Sequence, residues 1–148
     1  MALPPIPESA VVIRGEADDW RSAVRLAGSA LVASGSARAG YSDEMVRMIE
    51  EHGPYVVIAP GLALAHARPG PEVIADGVSV VTLRVPVNFG HPHNDPVSVI
   101  IGLAVVSVEG HLETVAQLAN IFNDAAAIPA IAAATDAQTV IAIMGSAA

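Results

Sequence analysis

The sequence predicts an α/β fold in which a mixed β-sheet is flanked by helices on both faces. Hydrophobic residues make up 53% of the 148 residues but aromatic residues only 3%, so the core is built from Ala, Val, Ile and Leu. Helical periodicity occupies both ends of the chain, and β-rich runs occupy the middle. No repeat or linker divides the chain. Residues 1–148 are therefore expected to form a single domain.

The first third of the chain predicts an edge strand followed by two helices. Residues 11–13 (VVI) form a short apolar run typical of an edge strand. Asp18 or Asp19 is placed to N-cap a helix that runs to about residue 34. Ser42 is expected to cap a second helix, which ends at Gly53.

Three strands are predicted in the middle of the chain. Tyr55–Ile58 is a short β-rich run, and the Pro60-Gly61 turn follows it. Residues 78–85 alternate enough to form a strand. Residues 97–106 are apolar at nearly every position, which is typical of a strand covered on both faces. The segment around residues 59–73 is predicted to be a stiffened loop.

The last third predicts a helical layer. Residues 110–124 carry apolar side chains at helical spacing. The alanine-rich stretch at 125–134 is either helix or loop, and Asp136 is a good N-cap for a final helix. The predicted order is α, α, β, β, β, α, (α), α, and helices on both faces would cover the sheet.

Charge and composition exclude several classes of function. The chain has fifteen acidic residues and seven basic ones, all arginine. The resulting net charge of −8 argues against nucleic acid as a partner. The absence of cysteine excludes disulfides, thiolate metal sites and a thiol nucleophile. The apolar run at 97–108 is too short to insert into a membrane, and the N-terminus lacks the pattern of a signal peptide. The chain is expected to be cytoplasmic.

Three of the five histidines have simple interpretations. His52 precedes Gly53 at the end of a helix, where a solvated histidine interacts favourably with the helix dipole. His91, His93 and Asp95 lie in a turn between two strands, and their spacing could hold zinc or another divalent metal. The same NDP turn is also interpreted as one closed by side chain to backbone hydrogen bonds.

His66 and His111 are the candidate catalytic residues. His66 lies in the segment APGLALAHARPGPEV (59–73), where alanines on both sides are expected to leave its approach open. A neutral imidazole is a good nucleophile toward phosphorus, and Arg68 would share its face in an extended segment. His111 begins the helix that follows the most hydrophobic strand, a common anion-binding position. These residues alone leave open a core histidine, a metal ligand or a nucleophile.

Three ordered motifs resemble a known family. The segments GPYVVIAPGLALAHARP (53–69), VNFGHPHNDPV (87–97) and GHLETVAQLANIFND (110–124) are similar to those of enzyme IIA components of the bacterial phosphoenolpyruvate-dependent sugar phosphotransferase system. The resemblance is to the mannitol/fructose superfamily, and the ascorbate-type branch is the most similar. It implies the mannitol/fructose-type IIA fold, a mixed sheet flanked by helices.

The resemblance also implies a function and its partners. His66 would accept a phosphoryl group from the phosphohistidine of HPr and pass it to a cysteine of an enzyme IIB domain, which serves a membrane IIC permease. His111 would lie beside it and stabilise the phosphoryl group. Arg68 and His91 are supporting candidates, whereas the match of Arg47 to an assisting arginine is doubtful. Neither a cofactor nor a metal is implied.

Two alternatives and one further departure from the family pattern remain. The chain could be a regulator that signals through its phosphorylation state, or a metal-binding protein or hydrolase built on His91, His93 and Asp95. Ala65 stands where the family usually has proline, which predicts a less rigid loop. The sugar cannot be inferred because a IIA component never touches it, and a homodimer is left open.

Overall fold

A computed structural model describes residues 3–145, and a five-stranded mixed sheet organises them. The strands are β1 (Val11–Gly15), β2 (Val57–Ala59), β3 (Leu62–His66), β4 (Gly77–Val87) and β5 (Val97–Ala104). Their order across the sheet is β1-β4-β5-β3-β2. The β1–β4 and β3–β5 pairs are parallel, and the β4–β5 and β2–β3 pairs are antiparallel. The predicted first strand is indeed at the sheet edge. Residues 1–2 and 146–148 of the proposed domain lie outside the described residues.

Helices cover both faces of the sheet, as predicted. They are α1 (Trp20–Ala33), α2 (Tyr41–His52), α3 (Val108–Phe122), α4 (Ala127–Ala133) and α5 (Ala137–Gly145). One core cluster contains the buried side chains of α1 and α2, and a second contains those of α3, α4 and α5. The alanine-rich stretch at 125–134, for which the sequence predicts either helix or loop, contains the short helix α4.

Most of the helix ends are formed by the residues that the sequence predicts. The Asp19 side chain accepts a hydrogen bond from the backbone N–H of Ser22, so Asp19 caps α1. Asp136 makes the equivalent bond to the N–H of Thr139. Gly53 ends α2 with a φ of 83°, in the left-handed region that favours glycine.

The prediction that Ser42 caps the second helix is wrong. The helix begins one residue earlier, at Tyr41, and its N-cap residue is Gly40. Ser42 is buried against Gly28 of α1, where any side chain carbon on the glycine would lie 1.9 Å from the Ser42 hydroxyl oxygen. Ser42 therefore serves the close approach of α1 and α2 rather than the helix terminus.

One strand was not predicted. Residues 62–66 form β3, which pairs with β5 from Leu62↔Val99 to His66↔Leu103. The prediction of a stiffened loop around residues 59–73 is wrong for these five residues. No helix in the described part of the chain is long and apolar enough to cross a membrane.

Candidate active site

His66 is the last residue of β3 and lies half-buried at the edge of the sheet where the parallel strands β3 and β5 both end. Side chains alternate along a strand. Ala63 and Ala65 accordingly pack into the core on the α1–α2 face, while Leu62 and Leu64 pack on the α3 face. The same alternation directs His66 toward α3.

A backbone hydrogen bond selects the tautomer of His66. Its Nδ1 lies 3.0 Å from the carbonyl oxygen of Leu64. A carbonyl oxygen only accepts, so Nδ1 carries the hydrogen and donates it. In the neutral ring this leaves the lone pair on Nε2, which becomes the nucleophilic atom.

Burial favours the neutral form of this imidazole. It lowers the pKa of His66 below the ordinary value of 6.5. The hydrogen bond to the Leu64 carbonyl acts in the opposite direction, and the nearby charge of His111 again lowers the pKa. At neutral pH the side chain is therefore uncharged and able to attack an electrophile.

His111 lies beside His66, in the first turn of α3. The two ring centroids are 5.2 Å apart. Ser107 caps the helix by accepting a hydrogen bond from the N–H of Gly110, and Asp76 accepts one from the N–H of Val106. These two bonds fix the connection between β5 and α3, so they position His111 against the end of β3.

Arg68 lines the same cavity as the two histidines. This cavity, of about 230 Å³, is completed by apolar side chains of Met48, Pro69 and Val108. Within residues 3–145, neither the Arg68 guanidinium nor the His111 ring has a hydrogen-bond or ion-pair partner. Two donors are therefore available for an anion bound at His66. Arg47 lines the adjoining groove of about 320 Å³, which it shares with Arg68.

A buried tyrosine holds the elements that carry the site together. The Tyr41 hydroxyl donates to the carbonyl of Leu103 at 2.6 Å and accepts from the N–H of Ala67 at 3.0 Å. It thereby ties α2 to the ends of β3 and β5. Burial raises the pKa of Tyr41 to about 12, so the hydroxyl keeps its proton and remains a donor.

Replacing Tyr41 by phenylalanine is expected to destabilise the fold by about 1–3 kcal/mol, because the buried N–H of Ala67 loses its partner. Urea unfolding followed by circular dichroism measures the change. The matched control is Tyr55→Phe, since the Tyr55 hydroxyl bonds to nothing within residues 3–145. Equal stability of the two variants would contradict the role given to Tyr41.

The loop with His91, His93 and Asp95 lies at the opposite end of the sheet. It joins β4 to β5 beyond the Val87↔Val97 pair, whereas His66 pairs with Leu103. At about 3.3 Å per residue, the two ends of β5 are separated by roughly 20 Å. The prediction that His91 supports the site is therefore wrong.

The same loop does not form the metal site that was considered as an alternative. The Asp95 carboxylate accepts hydrogen bonds from the backbone N–H groups of Phe89, Gly90 and His91. The His91 Nδ1 accepts from two further N–H groups of the loop. Across residues 3–145, no group of three His, Asp or Glu side chains could hold a metal. Closure of the turn through the Asp95 side chain is confirmed.

The prediction that the two alanines beside His66 leave its approach open is wrong. Ala65 is fully buried and Ala67 is 5% exposed, so both belong to the core. Small side chains are needed there because α1 and α2 pack on that face of β3. His52 is exposed at the end of α2, as predicted, and its ring lies edge-on to that of Tyr55.

Sequence reasoning missed three residues of the site. Tyr41 and Asp76 act through hydrogen bonds to residues far away in the chain, and no local pattern identifies such partners. Tyr55 was assigned to a strand, but it lies in a turn with its ring against His66. The rarity of aromatic residues in this chain was the signal in the sequence that could have singled out Tyr55.

Comparison with protein families identifies the chain over almost its full length. A family model described as "Phosphoenolpyruvate-dependent sugar phosphotransferase system, EIIA 2" matches residues 5–147. The ascorbate-specific PTS system EIIA component of Salmonella typhimurium is 37% identical over 134 residues, which cover 90% of this chain and 87% of the relative. The corresponding protein of Escherichia coli K12 is 40% identical over 113 residues, 76% of this chain and 73% of the relative.

Solved structures share the same architecture. The PTS IIA protein PtxA from Streptococcus mutans superposes with a TM-score of 0.85 at 30% identity, covering 95% of this chain and 90% of that one. The mannitol IIA of E. coli has a TM-score of 0.83 over 95% of this chain and 99% of its own, and at 22% identity it supports the fold alone. The predicted fold and family resemblance are confirmed. The chain belongs to the EIIA 2 family of the phosphoenolpyruvate-dependent sugar phosphotransferase system, and it is a phosphocarrier component of such a system.

Proposed function

We propose that His66 is the residue that carries the phosphoryl group, accepting it from phosphorylated HPr and passing it to a cysteine of an enzyme IIB domain. The observation that supports this most directly is the bond from Nδ1 to the Leu64 carbonyl, which leaves Nε2 as the free nucleophile. His111 and Arg68 line the cavity into which this atom opens.

The transfer needs only positioning and charge stabilisation. The Nε2 lone pair attacks phosphorus in line as the bond from phosphorus to the donor histidine breaks. A phosphoryl group carries about −1.5 to −2 charges. His111 donates a hydrogen bond to the phosphoryl oxygens, and the Arg68 guanidinium supplies positive charge. In the second transfer a thiolate attacks, the bond from Nε2 to phosphorus breaks, and the neutral imidazole returns.

The surface around His111 suits two successive protein partners. Val106, Val108 and Leu112 are 56%, 64% and 65% exposed, which is unusual for large apolar side chains. Glu109 and Glu113 are exposed on the same helix. We infer that HPr and the IIB domain dock on this apolar surface in turn, helped by basic residues that face the carboxylates. The mannitol IIA of E. coli, which has this fold, forms a complex with phosphorylated IIB of the mannitol system.

The substrate is proposed from the relatives alone. Those that match over most of the chain are ascorbate-specific components, so we infer that the chain serves uptake of ascorbate or a similar sugar acid. Transfer from the loaded protein to an ascorbate-type IIB domain, compared with a mannitol-type IIB domain, tests this. Equal rates would argue against ascorbate specificity.

One reconstitution experiment tests the function itself. The purified chain is incubated with phosphoenolpyruvate, enzyme I and HPr, and the phosphorylated residue is mapped by mass spectrometry under alkaline conditions that preserve phosphohistidine. One acid-labile phosphate per chain on His66 is expected. Label on another histidine would contradict the proposal.

The lowered pKa of His66 predicts how acceptance depends on pH. Because the nucleophile must be neutral, a pKa below 6.5 keeps His66 reactive as the pH falls through that value, and activity is lost only at more acidic pH. The imidazole C–H resonances of His66, followed by NMR across the titration, report its protonation directly. A midpoint at or above 6.5 would contradict the effect assigned to burial.

A further inference from the structure

The ring of Tyr55 contacts the imidazole of His66. The two ring centroids are 6.0 Å apart and the ring planes are perpendicular, so the contact is edge to face. His66 thus has two ring neighbours, Tyr55 and His111. Of these two neighbours, His111 already has a role in the proposed chemistry, as a donor to the phosphoryl oxygens. The contribution of Tyr55 needs another explanation.

A hydrogen-bonded turn holds Tyr55 in place. The N–H of Gly53 donates to the carbonyl of Ile49, which closes the end of α2, and the N–H of Val57 donates to the carbonyl of Pro54. Val56, the next residue, accepts a bond of 2.8 Å from the N–H of Leu64. The residue that follows Tyr55 is therefore bonded directly to the strand that carries His66.

The ring of Tyr55 is the part that contacts His66. Within residues 3–145 the hydroxyl has no hydrogen-bond partner. The ring also contacts the edge of His52, with centroids 6.1 Å apart. Tyr55 is nevertheless 42% exposed, so its burial contributes less to stability than that of a core residue.

We propose that Tyr55 is a positioning residue whose ring keeps the His66 imidazole in the rotamer that bonds Nδ1 to the Leu64 carbonyl and presents Nε2 to the cavity. The proposal rests on the proposed role of His66. Its physical basis is steric: a half-buried imidazole at a strand end has space to rotate once the ring beside it is removed. Rotation would break the single hydrogen bond that selects the tautomer.

The rate of phosphoryl acceptance from phospho-HPr separates ring from hydroxyl. Tyr55→Leu removes the ring and is expected to slow acceptance by about tenfold to hundredfold, since misplaced reacting groups cost about that much. Tyr55→Phe keeps the ring and is expected to retain the wild-type rate. Ile58→Ala removes an apolar side chain of the neighbouring strand that is 52% exposed, and it is the control for lost surface. A Tyr55→Phe variant as slow as Tyr55→Leu would overturn the proposal.

A second measurement is independent of HPr. The ¹⁵N shifts of the His66 ring report which nitrogen carries the hydrogen in the isolated protein. The Nδ1–H form is expected in wild type and Tyr55→Phe, and a mixture of tautomers in Tyr55→Leu. If Tyr55→Leu keeps the pure Nδ1–H form, Tyr55 does not position the ring. If wild type shows this form but accepts no phosphoryl group, the proposed function fails while the positioning role stands.

Discussion

Replacing His66 by glutamine is expected to abolish phosphate incorporation from phosphorylated HPr. Glutamine has nearly the length of histidine and forms hydrogen bonds, but it has no lone pair on a basic nitrogen and cannot form the covalent bond to phosphorus. The measurement is transfer of labelled phosphate from phosphoenolpyruvate through enzyme I and HPr. The loss should be complete, below the detection limit, because His111, the one other imidazole among the described residues that line this cavity, is proposed to donate to the phosphoryl group rather than to accept it.

The control for this experiment is His91→Gln. That residue lies in the loop at the far end of the sheet, so its replacement should leave incorporation unchanged. Thermal unfolding of both variants shows whether the fold is retained. Undiminished labelling of His66→Gln would contradict the assignment of the nucleophile.

Replacing His111 by alanine is expected to slow transfer to the IIB cysteine by about 10²–10³-fold, the usual cost of removing one donor from a charge-stabilising site. Acceptance from HPr should fall less, because Nε2 of His66 and the Arg68 guanidinium remain in place. Single-turnover assays of the preloaded protein measure the second step separately from the first.

The matched control is Leu112→Ala, the next residue on the same helix. It removes an exposed apolar side chain and leaves the donor of His111. A loss of docking surface would raise the concentration of IIB needed for half-maximal rate, whereas loss of the donor lowers the maximal rate. A wild-type maximal rate in His111→Ala would show that the residue is only structural.

Much of the fold could be predicted because periodicity is local. The amphipathic stripes of α1 and α2 and the uninterrupted apolar run of β5 identified helices and a doubly covered strand from neighbouring residues alone. The cap at Asp19 followed from the same reasoning, since a cap bonds within one turn. Ser42 shows the limit: a residue suited to capping was used instead for close packing of two helices.

The strand that carries His66 could not be predicted in this way. LALAH is short, contains two alanines of weak β propensity, and is bounded by Pro-Gly pairs that indicate turns. Its extended conformation is imposed by β2 on one side and β5 on the other. The pairing with β2 has an irregular register, and β5 is distant along the chain. Local pattern thus favoured a loop where pairing in the sheet produced a strand.

The resemblance correctly placed His111 beside His66, but the position of His91 could not be predicted from the sequence. His91 is nearer to His66 along the chain than His111 is, but the antiparallel β4–β5 hairpin leaves it at the other end of the sheet. The parallel β3–β5 pair brings the ends of both strands together, and α3 begins directly beyond that point. The direction of each strand, which no sequence motif indicates, determines which histidines lie close together.

The hydrogen bond between His66 Nδ1 and the Leu64 carbonyl has a consequence for how the two states of the protein differ. The hydrogen that makes this bond is on Nδ1 before transfer and stays there when Nε2 holds the phosphoryl group. In the proposed transfer, loading therefore keeps this hydrogen bond. The loaded molecule then differs from the empty one by the phosphoryl group and its negative charge, which a partner can recognise electrostatically.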